Sequence, residues 1–176
     1  MPKVRIEKSV KVNAPVEKAF QTVKDFHTWK HWSPWLIMEP DASVNITDDG
    51  LFYSWEGNIV GSGNMRVENV IDNEKISYLL TFLKPWKSTS KVEFIFEDLK
   101  NETNIIWNMD SSLPFFLFFM KNMMAAGIGM DYQRGLTMLK DYIENGKVPS
   151  SMAFNSDIKF QEIRYAGIKT TCKMED

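Results

Sequence analysis

The chain has 176 residues, with 21 Lys and Arg against 23 Asp and Glu for a formal charge of −2. That length suits one well-buried domain with a small appendage and leaves two full domains cramped. Scattered Lys and Arg give no electrostatic footprint for nucleic acid, and the single cysteine, Cys172, excludes an intramolecular disulfide and any cysteine-cluster metal site.

Lys3–Val12 alternates through Val4, Ile6, Val10 and Val12, which predicts a first strand with one face buried. Its charges fall at alternate places and no continuous apolar core of a signal peptide precedes them, so the expected compartment is the cytoplasm. Asn13-Ala14-Pro15 ends the strand. With Asn13 or Ala14 as cap and Pro15 at the first helical position, Val16, Ala19, Phe20 and Val23 recur at helical spacing and predict a short helix over Val16–Asp25. Phe26–Trp35, FHTWKHWSPW, reads as a second short helix or turn closed by Ser33-Pro34.

Six strand-like segments follow: Ala42–Thr47, Leu51–Glu56, Gly63–Ile71, Lys75–Lys84, Ser88–Leu99 and Thr103–Ser111. Each is bounded by Asp, Asn, Gly or Pro, the pattern of an antiparallel meander. Val92, Phe94 and Phe96 alternate with Lys91, Glu93, Ile95 and Glu97, giving a strand with one dry and one wet face.

Leu113–Gly146 then reads as one long helix, capped by Ser111 or Ser112 with Pro114 and stopped at Asn145-Gly146. Its first half, LPFFLFFMKNMM, is aromatic and Met-rich. Its second half carries an apolar stripe of Tyr132, Leu136, Leu139 and Ile143. A helix apolar nearly all round needs an enclosing surface, and the sheet just upstream supplies one. Lys121 and Asn122 interrupt the apolar run before it reaches the roughly 20 residues of a membrane span, so stable membrane insertion is not expected. Gly127 and Gly129 predict a bend or a close packing partner. Lys147–Asp157 reads as a linker, and Ile158–Thr171 as a further strand-like piece without a partner strand after it.

The order of strand, two short helices, six-strand meander and long helix resembles the helix-grip fold of the START and polyketide-cyclase-like superfamily, SRPBCC. VNAPVEKAFQTVKDFHTWKHWSPW at Val12–Trp35 is similar to that superfamily's opening, Gly61-Ser62-Gly63 to its turn into the fourth strand, and MDYQRGLTMLKDYIENG at Met130–Gly146 to its ending, with a Gly-Leu and a Leu-Lys pair. The resemblance covers about residues 3–146. It implies an α+β fold in which a curved antiparallel sheet of about seven strands wraps a long C-terminal helix, with a deep apolar cavity between them. Asp157–Thr171, DIKFQEIRYAGIKTT, resembles the first strand of a gyrase-inhibitor-like effector-binding domain. The expected organisation is therefore a helix-grip domain over 1–146, a linker over 147–157 and a tail over 158–176 that starts a second domain, the native product continuing past Asp176.

No catalytic constellation stands out. His27 and His31 share a helical spacing, but no third histidine completes a zinc site. No nucleophile elbow or phosphate-binding glycine loop is present. Asp110 and Glu56 are the candidates for acid–base work in a cavity, and Asp131 and Arg134 can pair with each other or face a ligand head group. The candidate ligand-binding residues are Trp55, Met65, Phe82, Phe94, Phe96 and Trp107 on the strands and Phe116, Phe119, Met120, Met123 and Met124 on the helix. With 11 Met, 12 Phe and 6 Trp in the chain, such a lining suits recognition of imprecise shapes.

The expected function is binding of a small hydrophobic or amphipathic molecule of lipid, polyketide or aromatic type, without cofactor or metal. One alternative is a cyclase- or dehydratase-like enzyme using the same cavity. Another is a ligand-sensing regulator with a downstream effector domain, and a third is an interaction protein docking through the apolar helix.

Overall fold

The computed structural model describes residues 3–84, 87–112, 119 and 121–149. Seven strands form one antiparallel sheet: β1 (Lys3–Val12), β2 (Ser43–Ile46), β3 (Phe52–Glu56), β4 (Ser62–Ile71), β5 (Lys75–Lys84), β6 (Ser88–Asp98) and β7 (Thr103–Ser112). Three short helices, α1 (Val16–Lys24), α2 (Phe26–Trp29) and α3 (Pro34–Met38), separate β1 from β2, and α4 (Lys121–Asn145) follows β7. The segment expected as one helix or turn after α1 is thus two helices. Pro15 is the residue capping α1 and not its first helical residue.

Strands β2 to β7 run in sequence order, and β1 closes on β7, with Lys3 opposite Ser112 and Val12 opposite Thr103. Inward and outward residues alternate as a half-buried strand requires: on β6, Val92, Phe94 and Phe96 are buried while Lys91 and Glu97 are exposed. Irregularities at Ser62/Gly63 and Val67/Asn69 bend β4. Gly63 leaves room that no side chain could occupy, since a Cβ there would stand 2.5 Å from both the Thr81 carbonyl oxygen and Cζ2 of Trp55.

The inner face of the sheet is covered by α1 at one end and α4 at the other. Phe20 of α1 meets Phe96 edge-on at 5.4 Å, and the Thr103 hydroxyl, buried, donates to the carbonyl of Ala14 at 2.8 Å. The Val23 carbonyl, left without a partner by the end of α1, accepts from the Tyr78 hydroxyl at 3.0 Å and the Trp29 indole at 2.9 Å. On α4, Tyr132, Leu136, Leu139 and Ile143 are all buried, as their spacing predicts.

Gly127 and Gly129 have no close packing partner: a Cβ at Gly127 would meet nothing within 4 Å, and one at Gly129 only the Lys8 side chain at 3.5 Å. The glycine of α4 that packs closely is Gly135. The first part of the long helix expected from Leu113, with Phe116 and Met120, lies outside the described residues, as do the tail and most of the linker. Among the described residues, no helix is long and apolar enough to cross a membrane.

Candidate ligand cavity

A cavity of about 130 Å³ opens between the sheet and α4. Its sheet wall comes from Tyr53 and Trp55 on β3, Met65 on β4, Leu80 and Phe82 on β5, Val92 on β6 and Trp107 and Met109 on β7. Trp29, Ser33 and Trp35 close one side, Val60 another, and Ile128, Asp131 and Tyr132 of α4 form the roof. The wall is overwhelmingly apolar.

The rings support one another. Trp107 stacks on Tyr132 at 3.9 Å and on Phe94 at 4.7 Å, while Tyr53 stacks on Trp55 at 5.2 Å and Trp55 meets Phe82 edge-on at 5.9 Å. Burial pushes the Tyr132 and Tyr53 hydroxyls far above the ordinary phenol range, so both are neutral donors at any physiological pH. The Trp107 N–H lies near enough to Tyr132 to oppose that shift slightly. It nevertheless has no hydrogen-bond acceptor among the described residues. The stacking explains both facts, because an indole N–H lies in its ring plane and a neighbour stacked on the ring is out of line with it.

The loop between β3 and β4 is held by a residue that the sequence does not flag. Glu39, just past α3, accepts the backbone N–H groups of Asn58, Ile59 and Val60 at 2.7, 2.9 and 2.9 Å. Gly57 packs against the same carboxylate. The Val60 N–H does most to hold the Glu39 carboxyl below its usual range, against an opposing effect of burial and with help from Ile59 and Asn58. The Trp55 indole donates to the Val60 carbonyl at 3.2 Å, so the loop and a cavity ring are tied together.

Of the sequence-derived ligand candidates, Trp55, Met65, Phe82 and Trp107 meet in this cavity. Phe94 and Phe96 are buried but outside its lining, one behind Trp107 and the other against α1. Phe119 and Met123 are exposed, Met124 packs partly against the core, and Phe116 and Met120 lie outside the described residues. Asp110 is exposed. Glu56 is exposed too and pairs with Lys84 at 2.9 Å, a hydrogen bond that lowers the Glu56 carboxyl below its ordinary range. Neither carboxylate belongs to the lining.

The lining residues missed in the sequence had a signal. Period two from Trp55 reaches Tyr53, and from Trp107 it reaches Met109. Ile128, Asp131 and Tyr132 fall at i, i+3 and i+4 on one helical face.

His27 contacts Asp25 through Nδ1 at 2.9 Å, and His31 stacks on Tyr142 at 5.3 Å, so the two rings serve different neighbours. Among the described residues, no group of three or more His, Cys, Asp or Glu could hold a metal ion.

Comparison with solved structures shows the same fold at low identity. The Aha1 dimer from Colwellia psychrerythraea is 22% identical with a TM-score of 0.59, covering 82% of this chain and 98% of that one. A START superfamily protein from Mycobacterium smegmatis is 19% identical with a TM-score of 0.56, covering 79% and 96%. DynU16, from the dynemicin biosynthetic locus, is 18% identical with a TM-score of 0.57 over 84% of this chain, which spans only 49% of DynU16. A search of curated proteins finds no match. The model of one family, described as polyketide cyclase / dehydrase and lipid transport, matches residues 3–144, which takes in the whole sheet and nearly all of α4, and the chain belongs to that family.

Proposed function

We propose that the protein binds one small, mainly apolar molecule in the cavity between the sheet and α4, with no reaction assigned to it. The observation that carries this reading is the lining, in which aromatic rings from α2, α3, three strands and α4 surround about 130 Å³. A cavity of roughly 150 Å³ with apolar walls accommodates a benzene-sized molecule, whereas sites for drug-sized ligands run from about 300 Å³ upward. The size favours a single ring, a short acyl segment or the end of a longer chain over a whole sterol or two-chain lipid. Burial of apolar ligand surface supplies roughly 25 cal/mol per Å² before ordering costs.

The family description embraces both chemistry and transport. A cyclase-like reading draws no support from Asp110 or Glu56, since both face solvent. The regulatory reading depends on a tail outside the described residues. The proposal includes a cytoplasmic setting and the division into a domain over 1–146, a linker over 147–157 and a further segment from 158.

Native mass spectrometry of freshly purified protein, followed by denaturation to identify what was carried, tests the reading. A small apolar adduct, or a thermal shift with single-ring compounds, is expected. An empty protein that no compound in a panel of aromatics, fatty acids and lipids stabilises would refute it.

A further inference from the structure

Among the described residues, the roof of the cavity carries the one charged side chain of the lining. Asp131 lies partly buried on α4, between Ile128 and Tyr132 in the lining. Among the described residues its carboxylate makes no hydrogen bond or ion pair. Arg134, three residues on, is exposed and does not pair with it. Among the described residues, no Lys, Arg or His contributes to the lining.

A carboxylate at the edge of an apolar space loses part of its hydration and gains nothing from its neighbours unless a donor or cation meets it. The rings around it strengthen that preference, because an aromatic face carries negative potential and attracts ammonium groups. An anionic ligand would meet the same carboxylate with no compensating cation among the described residues of the wall. Resting on the cavity-binding reading above, we propose that the site takes an apolar amine, its ring or short alkyl body among Trp55, Trp107 and Tyr132 and its ammonium against Asp131. Asp131 thereby determines specificity, while the rings supply most of the contact area.

The test compares three probes that share a phenylethyl body on the full chain, 2-phenylethylamine, 2-phenylethanol and 3-phenylpropionate, by calorimetry or quenching of tryptophan emission. The amine is expected to bind about tenfold more tightly than the alcohol, as a charge-assisted contact gives, and the carboxylate more weakly than either. In Asp131→Asn, which keeps the shape of the side chain at a partly exposed position, the amine should fall to the alcohol's affinity. Equal binding of amine and alcohol in the native protein, tightest binding of the carboxylate, or an amine preference that survives Asp131→Asn overturns the amine assignment and leaves the cavity reading standing. Binding of none of the three overturns the amine assignment, and the cavity reading falls with it only when fatty acids and lipids fail to stabilise the protein as well.

Discussion

Gly135 of α4 faces the indole of Trp107 so closely that a methyl group there would stand 2.9 Å from Cζ3, with Cδ of Pro34 at 3.1 Å. The ring cannot retreat, since it is stacked against Tyr132 at 3.9 Å and Phe94 at 4.7 Å. A single hydrogen at position 135 therefore sets how near the helix comes to the sheet beside the cavity.

Gly135→Ala consequently loses stability even though alanine is the better helix former by about 1 kcal/mol. Overpacking of this kind costs about 1–3 kcal/mol. Gly127→Ala, where a Cβ meets nothing within 4 Å, is expected to gain about 0.5–1 kcal/mol from helix propensity alone. Urea titrations of both variants check the pair, and equal shifts in the same direction would show that close packing at 135 is not decisive.

Filling the cavity is expected to abolish ligand binding while keeping the fold. Val92 is buried on β6 and lines the wall, so Val92→Phe places a ring in the space a ligand needs. The substitution should remove ligand-induced thermal shifts at a stability cost of about 1–3 kcal/mol. An undiminished thermal shift in a folded variant would place the ligand elsewhere.

Replacing Glu39 by Ala should free three backbone N–H groups in the loop that leads to Val60. Hydrogen exchange at Asn58, Ile59 and Val60 is expected to accelerate, with little change in the strands. Protection unchanged at those amides would mean that the loop holds its shape without the carboxylate.

Glu93 governs a separate, acid-sensitive cluster on the outer face. Burial alone would raise its carboxyl, but hydrogen bonds from Lys75 at 3.0 Å, Lys91 at 3.1 Å and Ser77 at 3.0 Å outweigh it and hold the pKa at about 2, against an ordinary 4.5. A group lowered on folding adds stability that is complete above the unfolded value and disappears as pH falls through the folded one. The contribution should therefore fade between about pH 4.5 and pH 2. Glu93→Gln is expected to cost on the order of 1 kcal/mol at neutral pH, as partly exposed pairs do, and to flatten the stability profile in that window. A variant whose acid profile matches the native protein would assign the acid sensitivity to other carboxylates.

Most of the sheet was legible in the sequence because its signals are local. Alternation and turn residues located β1 and β5 to the residue and each end of the other strands to within one. The cavity was less legible, since periodicity reports that a side chain is buried and not what lies beyond it. Phe94 and Trp107 share the same inward pattern, yet one forms the layer behind and the other reaches the space. Glu39 was invisible for another reason: its partners are backbone N–H groups nineteen to twenty-one positions away, and such bonds leave no trace in side-chain patterning. Gly135 stood in the family-like Gly-Leu pair, but only the path of Trp107 explains why a glycine is needed there.

The pairing of β1 with β7 carries a consequence for biogenesis. Among the described residues, β1, made before the other strands, has β7, made after them, as its only sheet neighbour. Until then Val4, Ile6 and Val12 present an apolar row beside an open backbone edge, a state prone to association with other chains. Closing this long-range ladder is also the slow kind of step, because the chain entropy is lost before the contacts form. The sheet wall of the cavity is thus finished only when β7 has met β1, so a nascent chain interrupted before Trp107 lacks part of it.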